Sequence, residues 1–142
     1  MSVRRGRAGG ATAVVLSTAG ARRDAERLAA ALVDERLAAC VNLVAPLTSI
    51  YRWQGAIERA REVLLIVKTR RALVPRVTAR IRALHGYDVP EVLALPVVGG
   101  SPPYLAWLLD ATAEAPRARA RSTRGRTGRA PTRRARPRSR RR

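Results

Sequence analysis

The segment Ala39–Trp53, ACVNLVAPLTSIYRW, followed by Gln54-Gly55 and later by Arg61–Thr69, REVLLIVKT, decides the fold. Both runs are dense in Val, Ile, Leu, Thr and aromatic residues, which suit a pleated surface. Gln54-Gly55 begins the turn between them, so the pair is a long β-hairpin. Each arm is roughly 12–15 residues, against about 5–6 for an ordinary strand. Arms of that length would carry exposed strand edges beyond a small domain. Pro46 has no N–H to give to a ladder, so it marks a bulge or an edge that redirects the strand.

Working outward, Ala11–Thr18, ATAVVLST, is expected to be a first strand buried on both faces, ended by Gly20. Ala21–Leu37 carries Ala25, Leu28, Ala29, Leu32 and Val33 at helical spacing, with its charges on the remaining face. Ala72–Leu84 is a second helix, with Leu73, Val77, Ile81 and Leu84 on one face and Gly86 as its stop. Glu91–Val98 is a fourth strand, Gly99–Pro103 a sharp loop, and Tyr104–Ala113 a third helix. The order β-α-β-β-α-β plus a helix is the split βαβ, ferredoxin-like α+β pattern.

The charge divides the chain of 142 residues into three parts. Residues 1–10 are a basic lead. Residues 11–115 form the domain. From Pro116 to Arg142 there are 13 arginines, no acid and almost nothing large and apolar. That tail cannot bury enough surface to offset its chain entropy, so disorder is expected. Its arginines, among them Arg133, Arg134, Arg136 and Arg138, suit non-specific phosphate contact with nucleic acid. A biased Arg-for-Lys composition explains the tail without any function. No apolar run spans a bilayer. Arg4-Arg5-Gly6-Arg7 before ATAVVLST has the look of a signal peptide, but the apolar run is short and interrupted, so a buried strand and a cytoplasmic protein are expected.

Cys40 is the single cysteine and His85 the single histidine. One of each makes no standard structural zinc site within one chain, and no metal is needed for folding. Cys40 lies in an apolar run and is expected to be a small buried residue. No phosphate loop, CxxC, HExxH or G-x-S-x-G elbow occurs, so no enzyme is expected. His85 lies in LHGYDVPEVLALP, Leu84–Pro96, where it can be a metal ligand, an acid–base group or a helix-end residue. Tyr51, Trp53, Tyr87, Tyr104 and Trp107 suit either core and interface anchors or the walls of a small-molecule cleft. Lys68, the only lysine, either anchors an anion in that cleft or pairs with Glu58, Glu62 or Glu91.

Five blocks, VVLSTAG, RLAACVNLV, SIYRWQGAIERAREVLLIVKT, GYDVPEVLALPV and YLAWL, occur in order from about Ala13 to Thr112. Together they resemble the CutA divalent-cation tolerance family. The resemblance implies a ferredoxin-like subunit in a tight homotrimer, built like the PII signalling proteins, whose hairpins reach neighbouring subunits. It also implies a cleft between subunits for copper or another divalent cation. Its ligands would be a cysteine at the end of the first strand, a histidine before the Tyr-x-x-Pro-Glu motif and the acid after that proline. Here those positions are Ser17, His85 and Glu91. Serine is a poor ligand for soft copper, so His85 and Glu91 are the remaining donors, suited to Cu(II) or another divalent ion. A PII-like trimer sensing a small molecule or a partner in the same cleft is the alternative, motivated by the missing thiol.

Overall fold

The computed structural model describes residues 10–114. Four strands form one antiparallel sheet: β1 (Thr12–Ala19), β2 (Cys40–Trp53), β3 (Ala56–Arg70) and β4 (Leu93–Pro96), in the order β2-β3-β1-β4. Among the described residues three α-helices accompany it: α1 (Arg22–Asp34), α2 (Val74–Leu84) and α3 (Pro102–Ala111). The fold is α+β, and the element order is the one read from the sequence.

Strand alternation assigns the two faces of the sheet. Val15 pairs with Val67, Ser17 with Leu65 and Ala19 with Val63, and all are buried. On this face α1 contributes Ala25, Leu28 and Leu32, and α2 contributes Val77 and Ile81, to one core. Fully burying a side chain such as Leu32 or Ile81 is worth about 2 kcal/mol, which is what holds each helix to the sheet. The opposite face carries Val14, Leu16, Leu64 and Ile66, with Leu93 and Leu95 paired against Leu16 and Val14. These are only half-buried or exposed, so β1 is buried fully on one face rather than on both. Val33, at the margin of the α1 stripe, is likewise exposed.

β1 pairs with β3 only from Val63 to Arg70. The remainder of the hairpin, Leu47–Trp53 against Ala56–Glu62, continues past the sheet as a two-stranded ribbon. β3 therefore begins at Ala56, five residues before the expected Arg61, because Ala56–Ala60 pairs with the tip of β2. The register shifts between Val44 and Leu47, around a cis Ala45–Pro46 peptide, which is the bulge expected at Pro46. Gln54 and Gly55 both have positive φ, 48° and 81°. They form a two-residue hairpin loop whose twist matches the strands.

Several local expectations are corrected. Pro102 and Pro103 are the first turn of α3, not loop, since proline's fixed φ suits a helix start. Gly86 is not a left-handed helix stop. α2 ends because His85 itself turns extended, with φ −76° and ψ 143°. Cys40 is only half-buried, because its register places it on the sheet face turned away from α1 and α2, opposite Lys68. α3 contacts β3 and β1. Arg70 fastens it, with Nε donating to Thr112 Oγ1 at 3.0 Å and Nη2 donating to the Leu109 carbonyl.

Candidate functional site

The site lies where the ribbon leaves the sheet. There β1 ends, α2 ends, and residues 85–91 cross toward β4. His85 ties these parts together. Its Nε2 lies 2.7 Å from the Thr18 carbonyl, and its Nδ1 lies 3.0 Å from the Tyr87 backbone N–H. A carbonyl only accepts and an N–H only donates, so Nε2 carries the proton and Nδ1 is the acceptor. Both ring nitrogens are thereby engaged in the neutral imidazole. Arg27 Nη2 donates to the Leu84 carbonyl at 3.3 Å, fixing the same helix end to α1.

Tyr87 is the second brace. Its ring sits 4.7 Å from that of His85, and its hydroxyl donates to Glu62 Oε2 at 3.1 Å. Burial first, and then the Glu62 charge and hydrogen bond, hold the Tyr87 phenol above its ordinary range, so it remains a donor. Gly20 makes this approach feasible. A Cβ there would stand 2.9 Å from the Tyr87 hydroxyl.

Between the ribbon and residues 86–91 runs a groove of about 760 Å³. β2 contributes Ser49, Ile50, Tyr51 and Trp53; β3 contributes Glu62; the crossing segment contributes Gly86, Tyr87, Asp88, Val89 and Glu91. Among the described residues three carboxylates line it and no lysine or arginine does. Glu62 is at its base with only 7% of its surface exposed.

Of the residues singled out from the sequence, Tyr51, Trp53, Tyr87 and Glu91 meet in this groove. Within one subunit, His85 stands behind the wall, in a smaller recess with Gly20 and Leu84. Lys68 lines neither cavity. Its Nζ is 3.9 Å from Cys40 Sγ, and among the described residues it forms no ion pair, in place of the expected bond to Glu58, Glu62 or Glu91. Tyr104 and Trp107 pack on each other along α3 with ring centroids 5.4 Å apart, away from the groove. Ser17 faces the helices, fully buried. Arg133, Arg134, Arg136 and Arg138 lie outside the described residues.

Two groove residues, Asp88 and Glu62, do not stand out from the sequence as site residues. Asp88 lies within the Tyr-x-x-Pro-Glu segment, so its neighbourhood carries a local signal. The Glu62–Tyr87 contact joins positions 25 apart in sequence and has no local signal.

Among the described residues, no group of three or more His, Cys, Asp or Glu side chains is placed to hold an ion. The serine at the strand end points into the core, and the histidine has no free lone pair. A soft-metal centre does not fit these residues within one subunit.

The architecture is therefore that of a small α+β protein with an acidic, aromatic groove beside an overhanging hairpin. The family model for the CutA1 divalent ion tolerance protein matches residues 13–111. A curated relative, the divalent-cation tolerance protein CutA of Thermus thermophilus, is 52% identical over 99 residues, covering 70% of this chain and 96% of the relative. Protein CutA of Mus musculus is 52% identical over 88 residues, but this chain spans only 50% of its length. Among solved structures, the Thermus thermophilus divalent cation tolerance protein superposes with a TM-score of 0.70 at 50% identity, covering 72% of this chain and 99% of that one. CutA1 of Oryza sativa gives 0.72 at 44% identity, covering 74% and 96%. The chain belongs to the CutA1 divalent ion tolerance family.

Proposed function

We propose that the chain acts in divalent-cation tolerance as a non-catalytic homotrimer of ferredoxin-like subunits, with its ligand held in the groove beside a neighbouring subunit. The observation that carries this reading is the part of the second sheet face that α3 leaves open. Val44, Leu93 and Leu95 are exposed there, and the ribbon exposes Ile50, Tyr51, Trp53 and Ile57. Apolar surface on this scale marks an interaction surface, and a closed ring of copies covers it on every subunit. Among the described residues no helix is long and apolar enough to cross a membrane. A cytoplasmic location is proposed with this reading, and a chain with one cysteine has no internal disulfide that needs an oxidising compartment.

Cu(II) or another divalent cation at His85 and Glu91 is the metal form of the proposal. It requires His85 to release either the Thr18 carbonyl or the Tyr87 N–H, or the neighbour to bring further donors. The alternative, a PII-like trimer binding a small molecule or partner, is favoured by the occupied ring nitrogens and by the size of the groove. Calorimetric titration of Cu(II) into the full chain, beside His85→Ala, separates the two. Micromolar binding lost in the variant supports the metal form. No binding, or binding unchanged by the substitution, removes His85 as a ligand. Sedimentation of the same sample as a stable monomer would sink the trimer.

Nucleic-acid association through the arginine tail is a separate proposal, supported by the 13 arginines after residue 115. Deleting 116–142 is expected to abolish salt-sensitive DNA binding; retention of affinity at moderate salt refutes it.

A further inference from the structure

We propose that the groove takes a small organic cation, a primary ammonium or guanidinium, held at Glu62 and covered by the Tyr51–Trp53 wall. This rests on reading the groove as the ligand site and names its ligand class. Glu62 is 7% exposed, yet among the described residues no cation pairs with it; the two ion pairs there are Arg22–Glu26 and Arg80–Glu35. The side chain is enclosed except toward the groove: among the described residues only Ser17 Oγ is a buried side-chain oxygen without a partner, so the free carboxylate oxygen is reached from the cavity. Tyr87 satisfies Oε2, while Oε1 has no protein partner among the described residues. One oxygen is therefore oriented by the protein and the other is available to a ligand in a cavity that Glu62 lines.

The surroundings select the sign and size of that ligand. Asp88 and Glu91 add negative charge to the lining, and no basic side chain among the described residues offsets it. An anionic ligand would meet three carboxylates and no counter-charge. The faces of Tyr51 and Trp53 suit a cation carried on carbon, through the negative potential of their rings. Among the described residues no cluster of three donors is placed for a bare divalent ion. A volume of about 760 Å³ is that of a small-molecule pocket, not of an ion site.

The test uses the full chain, titrated calorimetrically with agmatine, which carries a guanidinium and an ammonium, and with neutral 1,4-butanediol. Saturable binding of agmatine, with none of the diol, is expected. Glu62→Gln should weaken it at least tenfold, and Trp53→Ala, an exposed position that tests the wall without disturbing the core, several-fold. Glu35→Gln, in the exposed pair with Arg80, should leave it unchanged. Absence of agmatine binding, equal binding of the diol, or full affinity in both groove variants overturns the proposal. Agmatine binding that appears only when the oligomer is dissociated also overturns it, because a second copy's own side chain then fills the groove. A parallel Cu(II) titration separates the failures. Copper binding without agmatine binding defeats the organic cation alone, whereas silence in both defeats the groove as a ligand site.

Discussion

Ser17 Oγ is buried and, among the described residues, has no hydrogen-bond partner. A hydroxyl desolvated without a partner costs about 1–3 kcal/mol. Ser17→Ala removes that cost and loses little packing, so it is expected to raise stability by about 1 kcal/mol. Urea unfolding at matched protein concentration checks this; a lower midpoint for the variant would mean that the hydroxyl has a partner. Tyr87 gives a pH dependence. Its folded-state pKa is raised, by burial first and by Glu62 next. The unfolded phenol ionises first, so this stabilisation is complete below about pH 10 and is lost as pH rises through the folded value. Urea midpoints from pH 8 to 11 should fall in the wild type and fall less in Tyr87→Phe; parallel curves would remove Tyr87 from that loss. At this scale the residue types were legible in the chain but their partners were not. His85 was legible as a helix-end residue beside Gly86. That its ring joins Thr18 to Tyr87 was not, because the Thr18 carbonyl is 67 positions away.

The hairpin is the element on which most else depends. Its length, its proline bulge and its turn were legible because alternation, a missing N–H and a glycine are local signals. The start of β3 was misjudged because AIERA has weak strand preference and pairs only through the facing arm. The tip makes a direct test. Gly55 has φ 81°, a conformation costly for a residue with a Cβ. Gly55→Ala should cost about 1 kcal/mol and speed exchange of the amides near Trp53 and Ala56. Hydrogen exchange at the tip measures this, and unchanged protection would mean that the loop readjusts freely. The helices follow the same logic. Val77 and Ile81 of α2 are buried as their spacing requires, while Pro102-Pro103 looked like a loop until their place in the first turn of α3 was seen.

At the scale of the molecule, the part of the sheet that α3 leaves open and the groove set the behaviour. In the proposed trimer a neighbour covers Leu93 and Leu95. Arginine at both positions should leave the helix-covered core intact, while burying two unpaired charges at the contact. The expected result is a folded monomer by sedimentation with a native circular dichroism spectrum; a trimer unchanged in mass would place the contact elsewhere. The sequence by itself determined the element order and the helix-covered core, because periodicity and turn residues are written locally along the chain; the division it proposes between the domain and an arginine-rich tail rests on composition alone. It also carried the five blocks of the family. Only the tertiary structure decided which candidate residues meet. It brought Tyr51, Trp53, Tyr87 and Glu91 to one groove with Glu62, sent Lys68 to Cys40, and turned Ser17 into the core. The reason is strand pairing. A single-residue change of register, such as the bulge between Val44 and Leu47, reverses which face every later side chain occupies. Nothing in a linear pattern fixes that until the partner strand is in place.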